Sequence, residues 1–279
     1  MIRVRLSIRE FGARDGRPLF FFHGWPGSGA QAILLDDAAK RHGFRVFAPD
    51  RPGIGESPFQ PGRRLLDGPP LIRALAVEYG LSRIAILGVS GGGPYALACA
   101  WALPDLVRCV SIVCGAPPIA ELHDDEGLHP GYRLLLRLFR SRPHLVHGLF
   151  SRLRPLIFWQ GAQEFLAPLR ILLSPPDAEA LDDRRNFAAV FDCQRDAFRN
   201  VDGLFADAAL YAEPWGFAPE EIRAPVQFWH GREDRNFHFS LAVKLAARIP
   251  SATLRVVENE GHFSLPTRHA EAILAALGN

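Results

Sequence analysis

The sequence predicts an α/β fold, in which a mostly parallel central sheet is flanked by helices and carries an inserted helical cap. Short runs of β-branched and aromatic residues alternate with stretches of helical spacing, which is typical of a parallel sheet covered on both faces. This alternation stops near Pro117 and Pro118 and resumes at about Pro225. With 279 residues, the chain is long enough for one large domain with an insertion.

Seven apolar runs are predicted to be strands. In chain order they cover residues 2–8, 19–24, 44–49, 83–88, 107–115, 225–231 and 252–259. Helical spacing predicts helices over residues 70–79, 93–103, 239–248 and 266–277. Because ligands bind such sheets at the carboxyl ends of the strands, the loops that follow the strands are expected to carry the functional residues.

The segment between the two alternating parts is rich in Leu, Phe and Arg, and its pattern is helical. We therefore predict a main domain made of residues 1–116 and 223–279, with residues 117–222 as a cap over the carboxyl edge of the sheet. Arg133, Arg137 and Arg140 are three or four residues apart, so they share one helix face. A solvated face is the favoured interpretation, and contact with an anion or a membrane surface is the alternative.

The composition favours a small-molecule partner. A formal net charge of +2, from 32 basic and 30 acidic side chains, gives no electrostatic reason to expect nucleic acid. The four cysteines lack CxxC spacing and a histidine in metal-ligand register, so we expect free thiols in a reducing cytoplasm and no metal. The N-terminal residues interleave arginines with apolar residues, unlike a secretion signal, and the chain is expected to start at Met1.

Residues 84–104 carry no charge and are long enough to span a bilayer. Four glycines around Ser90, together with Pro94, interrupt this run. A buried strand, a sharp turn and a buried helix explain both the apolarity and the interruption. We therefore expect no membrane partner.

Ser90 lies in "GVSGG", a GxSxG pattern formed by residues 88–92. The pattern follows a predicted strand and precedes a predicted helix, which is the context of a nucleophile elbow. Gly88 and Gly92 are the elbow glycines, because strand and helix backbones nearly touch there. The alternative is a structural serine in a glycine-rich turn.

A serine hydroxyl needs a base within hydrogen-bond reach to act as a nucleophile. His262 follows the last predicted strand and is the expected base, since His269 lies inside the terminal helical pattern. The alternative for His262 is an ordinary surface histidine. Asp234 follows the strand at 225–231 and is expected to orient the base, with its neighbour Glu233 as the other choice.

The loop "FFFHGWPGS" after an early strand is expected to help stabilise negative charge on a tetrahedral intermediate. Pro26 has no N–H, so the backbone amide of Trp25 is the expected donor. The amide of Gly91 is its partner in the oxyanion hole. His23 in the same loop is interpreted as structural rather than as a second base.

The ordered set "HGWPGS", "DRPGIGES", "GVSGG", "HGREDRNF" and "EGHFS" resembles the capped branch of the α/β-hydrolase superfamily and covers both segments of the main domain. The resemblance implies an α/β-hydrolase fold with Ser90 as nucleophile, Asp234 as acid and His262 as base, and Trp25 and Gly91 amides as the oxyanion hole. Haloalkane dehalogenases and epoxide hydrolases share the HGxP loop but have aspartate at the elbow. Proline iminopeptidases usually have tryptophan where this chain has Gly91.

The first hypothesis is a serine hydrolase, similar to carboxylesterases, that cleaves a carboxylic ester or thioester of a small to medium, largely apolar substrate. The second is a non-catalytic ligand-binding protein on the same fold. A third keeps the triad in an acyltransferase, a carbon–carbon bond hydrolase or an iminopeptidase. No cofactor is implied. Trp25, Trp159 and Phe263 are the residues we expect to line the substrate pocket.

Overall fold

The computed structural model describes residues 5–122 and 127–278. Within this part of the chain, seven strands form a single sheet in the order β1-β3-β2-β4-β5-β6-β7. They are β1 (Ile8–Gly12), β2 (Arg17–Phe22), β3 (Phe44–Pro49), β4 (Ile84–Val89), β5 (Val107–Val113), β6 (Val226–Gly231) and β7 (Ala252–Val257). Only β1 runs antiparallel to its neighbour, β3, so the predicted mostly parallel sheet is confirmed.

The first strand lies later in the chain than predicted. Residues 2–4 of the predicted run lie outside the described residues, and residues 5–7 are not part of a strand. The pairing with β3 runs from Ile8, opposite Pro49, to Gly12, opposite Arg45. The carbonyl oxygen of Ser7 still accepts the amide of Asp50 at 2.9 Å, but the amide of Ser7 donates to Ser57 Oγ at 2.9 Å, so the regular ladder begins at Ile8.

Twelve α-helices are found among the described residues. They are α1 (Asp36–Arg41), α2 (Gly68–Glu78), α3 (Gly92–Ala102), α4 (Pro130–Ser141), α5 (Pro143–Phe158), α6 (Ala162–Leu166), α7 (Pro175–Ala180), α8 (Arg184–Ala197), α9 (Val201–Tyr211), α10 (Phe239–Ala246), α11 (Ser264–Arg268) and α12 (Ala270–Gly278). Short 3-10 turns cover Gly29–Leu35, Leu65–Asp67, Ile119–Glu121, Ala167–Leu172 and Pro219–Glu221. The predicted terminal helix is divided into α11 and α12 because His269 adopts φ −108° and ψ 14°, outside the helical region.

The sheet buries apolar side chains on both faces, as its alternating strands require. In β2, Phe20 and Phe22 point into one cluster, which also contains residues of α2, α3 and α10. Leu19 and Phe21 point into the other cluster, with residues of α1 and α12. This arrangement places the carboxyl ends of β2, β4, β6 and β7 along one edge of the sheet.

Helices α4–α9 all lie between β5 and β6 in the sequence. Val146, Phe150, Phe198 and Leu204 from this segment form a separate apolar cluster with Ile54, which lies in the loop after β3. Residues 84–104 consist of β4, a turn and α3. Across the two described ranges, no helix combines the length and apolarity needed to cross a bilayer.

Candidate active site

Ser90 lies in the turn between β4 and α3, at the carboxyl edge of the sheet. Its φ of +52° is in the left-handed region, where a non-glycine residue is strained. The backbones around the turn approach so closely that only glycine fits at two positions. A Cβ on Gly92 would lie 2.0 Å from the carbonyl oxygen of Phe22, and one on Gly88 would lie 2.7 Å from the carbonyl oxygen of Gly92. Ser90 thus lies in a sharp turn between a strand and a helix, with Gly88 and Gly92 at the two close approaches.

The side chains of Ser90, His262 and Asp234 form one hydrogen-bonded chain. The distance between Ser90 Oγ and His262 Nε2 is 2.9 Å, and that between His262 Nδ1 and Asp234 Oδ2 is 2.8 Å. Because the carboxylate can only accept, Nδ1 carries the proton and Nε2 is free to accept from the serine hydroxyl. This is the arrangement in which an imidazole can remove a hydroxyl proton.

Burial and charge set the protonation of this chain of groups. All three side chains are buried. Burial alone would lower the pKa of His262, but the charge of Asp234, its hydrogen bond and the charge of Asp177 outweigh this and raise it. Burial opposes ionisation of Asp234, yet the two imidazoles of His262 and His230 hold its pKa well below the usual range. The carboxylate therefore stays charged beside the imidazole.

A second buried histidine, His230, lies behind Asp234. Its Nε2–H donates to the carbonyl oxygen of Phe237 at 2.8 Å and lies 3.3 Å from Asp234 Oδ2. The other carboxylate oxygen, Oδ1, accepts the amides of Asn236 at 2.8 Å and Phe237 at 3.0 Å. Asp234 is therefore held from three sides.

Cys114, His230 and Asp234 have potential metal-ligating atoms within 4.8 Å of one another. Each of these atoms already has a protein partner: Cys114 Sγ donates to the carbonyl oxygen of Gly261, and the other two are bonded as described above. Burial also raises the pKa of Cys114 well above its usual range, so the thiol keeps its proton, whereas a metal requires the thiolate. The donor set does not fit a resident metal.

Two cavities meet at Ser90. The first is lined by apolar residues that include Leu136 and Phe139 of α4 and Ala208 of α9. The second is lined by His262 and by three side-chain amides, those of Gln31, Gln194 and Asn236. Trp25 and Tyr132 line both cavities. Within the described ranges, no Asp, Glu, Lys or Arg lines either cavity.

The pocket residues expected from the sequence are found in different places. Trp25 lies at the junction of the two cavities and Phe263 lines the second. The prediction that Trp159 lines the pocket is wrong. Trp159 follows the end of α5, its side chain is 57% exposed, and it lines neither cavity. The composition of the cap indicated an aromatic lining but not which way each ring would point.

The expected oxyanion donors border the same space. Gly91 lines the first cavity and Trp25 both, and neither backbone amide donates to another protein group among the described residues. Helix α9 forms a hydrogen bond with each of Gly91 and Trp25. Tyr211 donates its hydroxyl to the carbonyl oxygen of Gly91 at 2.9 Å, and the indole of Trp25 donates to the carbonyl oxygen of Leu204 at 3.3 Å.

A buried ion cluster connects α9 to the loop before Trp25. Asp207 of α9 pairs with Arg51 at 2.7 Å and with Arg63 at 2.6 Å, and all three side chains are almost completely buried. Arg51 also donates to the carbonyl oxygens of His23 at 2.6 Å and Gly24 at 3.1 Å. The two guanidinium groups outweigh the effect of burial and keep the pKa of Asp207 well below its usual range.

The loop that carries His262 is held by α7. Asp177 Oδ2 accepts the amide of His262 at 2.9 Å, while Oδ1 accepts those of Phe263 at 2.8 Å and Ser264 at 2.9 Å. This buried carboxylate therefore satisfies three backbone donors at the start of α11. No sequence pattern pointed to Asp177, Asp207 or Tyr211, although Arg51 stands in the "DRPGIGES" segment.

Among the described residues, the side chain of Ser90 bonds to His262 and not to the alternatives left open by the sequence. His269 bonds to Glu260 at 3.1 Å, and the carboxylate bonded to His262 Nδ1 is that of Asp234 and not that of Glu233. His23 is fully buried, and its Nδ1–H donates to the carbonyl oxygen of Gly24 at 2.9 Å. Its pKa is lowered well below the usual value by burial and by the charge of Arg51, so it is a neutral part of the loop.

Comparisons with known proteins agree with this architecture. A family model described as "alpha/beta hydrolase fold" matches residues 17–268. A 2-hydroxy-6-oxononadienedioate/2-hydroxy-6-oxononatrienedioate hydrolase of Cupriavidus pinatubonensis is 26% identical over 85% of this chain and 77% of its own. A bifunctional esterase/perhydrolase of Acinetobacter calcoaceticus is 25% identical over 97% of this chain and 93% of its own. Among solved structures, an esterase from Exiguobacterium antarcticum superposes with a TM-score of 0.72 at 17% identity, covering 98% of this chain and 96% of its own.

Proposed function

Since this chain belongs to the alpha/beta hydrolase fold family, we propose that it is a serine hydrolase that cleaves an uncharged carboxylic ester or thioester through an acyl-enzyme on Ser90. The observation that carries the proposal is the buried Ser90–His262–Asp234 chain at the junction of two cavities. The similarity to proteins named as esterases is consistent with it.

In the proposed mechanism, Ser90 Oγ attacks the acyl carbon while His262 Nε2 takes the hydroxyl proton. Asp234 stabilises the imidazolium that forms. The amides of Trp25 and Gly91 donate to the developing oxyanion. His262 then returns its proton to the leaving oxygen or sulfur, and the bond between that atom and the acyl carbon breaks. Water attacks the acyl-enzyme with His262 again as the base, the bond between Ser90 Oγ and the acyl carbon breaks, and His262 returns the proton to Ser90 as the carboxylic acid leaves.

The proton transfer from His262 to the leaving group indicates which half of the substrate each cavity would hold. The leaving group has to reach His262, and His262 lines only the second cavity. We therefore assign the alcohol or thiol half of the substrate to the amide-lined cavity and the acyl half to the apolar cavity under α4. Amide side chains hydrogen-bond uncharged polar groups, so the favoured substrate has an apolar acyl group and a polar, uncharged leaving group.

Carbon–carbon bond hydrolysis is the second candidate, because one relative is named for a dienedioate substrate. A dienedioate carries two carboxylates, and burying them calls for cationic partners. No Lys or Arg lines either cavity in the described part of the chain. This favours the ester over the dicarboxylate as substrate.

The proposal is tested by labelling the purified protein with a fluorophosphonate and locating the modified peptide by mass spectrometry. We expect labelling at Ser90, loss of labelling and turnover in Ser90→Ala, and wild-type behaviour in the control Ser151→Ala, whose hydroxyl bonds within exposed α5. Turnover retained in Ser90→Ala would refute the assignment of Ser90 as the nucleophile. A folded protein that neither reacts nor hydrolyses esters would favour the binding-protein alternative.

The assignment of the two cavities is tested with two series of esters: an apolar acyl group on a polar uncharged alcohol, and a polar uncharged acyl group on an apolar alcohol. We expect kcat/KM to be higher for an apolar acyl group on a polar uncharged alcohol than for the reverse combination. Addition of a charge to either half should reduce kcat/KM further. Equal rates for both orientations would contradict the assignment while leaving the serine mechanism intact, and a dicarboxylate dienoate as the better substrate would favour the second candidate.

A further inference from the structure

The charge of the chain is concentrated in one segment. Residues 130–172 contain a single acidic residue, Glu164, and no lysine. They contain seven arginines: Arg133, Arg137, Arg140, Arg142, Arg152, Arg154 and Arg170. Because the whole chain has 32 basic and 30 acidic side chains, the rest of the molecule is net acidic and this segment is strongly cationic.

The same segment exposes most of the large apolar side chains found at the surface of the described residues. They are Leu134, Leu145, Leu149, Leu153, Phe158, Trp159, Phe165, Ile171 and Leu172. Ile171 is 83% exposed and Leu172 is 68% exposed. A concentration of apolar groups of this kind marks an interaction surface, whereas isolated ones need no explanation. We call the exposed side chains of residues 134–172 the cap surface.

The two kinds of side chain are interleaved on the helices. Leu145, Leu149 and Leu153 of α5 are four residues apart, so they lie on one face, and Arg152 lies beside them. Val146 and Phe150 of the same helix point into the buried cluster instead. After α5, the rings of Trp159 and Phe165 meet edge-on with centroids 6.3 Å apart.

Helix α4 connects the cap surface to the apolar cavity. Leu135, Leu136 and Phe139 line the cavity beside Ser90. Leu134 and Arg140 are exposed on the remainder of the helix. The cap surface therefore lies on the outer side of an element whose inner side borders the reaction space.

We propose that the cap surface docks on an anionic lipid surface. Exposed leucine and aromatic side chains can enter the interfacial region of a bilayer, and arginines beside them can pair with lipid phosphates. This assignment takes up the alternative interpretation of the α4 arginines and replaces the expectation of no membrane partner. A symmetric contact with a second copy of the chain fits less well, because it would bring two strongly cationic segments together.

The test is cosedimentation of the full chain with vesicles of phosphatidylcholine alone and of equimolar phosphatidylcholine and phosphatidylglycerol. We expect binding to the anionic vesicles only, weakened by salt. The variant Leu149→Asp/Arg152→Glu should reduce the partition coefficient about tenfold or more. Val77→Asp/Arg83→Glu changes an exposed apolar residue of α2 and an exposed arginine directly before β4, outside the cap surface, and should bind as the wild type does.

Retained helical circular dichroism in both variants shows that they are folded, and Leu149→Asp alone provides a second, milder variant of the cap surface. Failure of the wild type to bind anionic vesicles would overturn the proposal, as would equal binding to neutral ones. Sedimentation as a dimer that Leu149→Asp/Arg152→Glu converts to a monomer would assign the surface to a second copy instead. These measurements do not involve Ser90, so they stand apart from the proposed hydrolase activity.

Discussion

Asp177 accepts the backbone amide of His262 at 2.9 Å, so a carboxylate from the segment between β5 and β6 lies against the residue that bonds to Ser90. His262 is faced by Asp234 from the loop after β6, by Asp177 from α7 and by Ser90 from the elbow, and His230 lies behind Asp234. Both carboxylates favour the imidazolium, which is why the pKa of His262 is raised above its ordinary value of 6.5.

This pair predicts the pH dependence of the proposed reaction. His262 must be neutral to take the serine proton, so kcat/KM should fall as the pH drops through a pKa above 6.5. Asp177→Asn removes the charge and one of the two oxygens that accept backbone amides, so the acidic limb should move to lower pH. A pH profile of kcat/KM for both proteins measures the shift.

The matched control is Glu179→Gln, on the same helix but with an exposed carboxylate that pairs with Arg268. We expect its acidic limb to coincide with that of the wild type. An unchanged limb in Asp177→Asn would mean that Asp177 only holds the loop and does not act on the charge of His262.

Tyr211 and Gly91 give the second prediction. Tyr211→Phe removes the hydroxyl that donates to the carbonyl oxygen of Gly91 and keeps the ring against Trp25. Loss of one hydrogen bond of this kind costs about 1 kcal/mol, so kcat should fall about fivefold while KM changes little. Steady-state kinetics tests this, with Tyr79→Phe, at the end of α2, as the control. A fall in kcat of the same size in the control would contradict the role given to Tyr211.

The strands and the expected catalytic residues could be predicted because their signals are local. Each strand is a short apolar run, and Ser90, Asp234 and His262 each lie in the turn or loop that follows one. Parallel strands bring their carboxyl ends to one edge, so chain order alone implied that these three residues meet. Where the local signal was weaker, the predictions were poorer: the first strand ends at Gly12 and not at residue 8, and the interruption of the terminal helix at His269 was missed.

The supporting residues could not be predicted, because their partners are distant in the chain. Asp177 bonds to a residue 85 positions away, Tyr211 to one 120 positions away, and Asp207 to one 156 positions away. Nothing in the composition of α7 or α9 indicates such contacts. The same limit explains Trp159: an aromatic residue in a helical segment is compatible with an inward or an outward ring, and only packing decides.

The third prediction concerns Asp207, which lies between two buried arginines. Asp207→Asn leaves both guanidinium groups without a buried counter-charge, so the free energy of unfolding should fall by about 3–5 kcal/mol. Asp202→Asn on the same helix changes an exposed carboxylate and should cost less than about 0.5 kcal/mol. Urea denaturation followed by fluorescence gives both values, and equal losses would contradict the prediction.

The depressed pKa of Asp207 also sets a pH window for this contribution. A carboxyl whose pKa is lower in the folded than in the unfolded state stabilises the protein above the unfolded value of about 3.9 and loses that contribution as the pH falls through the folded value. The difference in stability between the wild type and Asp207→Asn should therefore be present at neutral pH and shrink in acid.

Gly203, in the first turn of α9, gives the last prediction. A Cβ at this position would lie 1.9 Å from the carbonyl oxygen of Gly53 and 2.7 Å from its Cα, so alanine forces two backbones apart. In α5, a Cβ on Gly148 would meet only the end of the Arg152 side chain, at 3.3 Å, which can move. Alanine for glycine inside a helix otherwise gains about 0.5–1 kcal/mol, so Gly148→Ala should stabilise the protein, whereas Gly203→Ala should cost about 1–3 kcal/mol.

The same two variants also test whether the position of α9 affects catalysis independently of protein stability. Displacing α9 at Gly53 moves Asp207 and Tyr211, and with them the supports of the Trp25 loop and of Gly91. Gly203→Ala should therefore lose kcat at a temperature where it is fully folded, while Gly148→Ala keeps the wild-type kcat. If Gly203→Ala retained the wild-type kcat, α9 would be a cover for the cavities and not a support for the groups around Ser90.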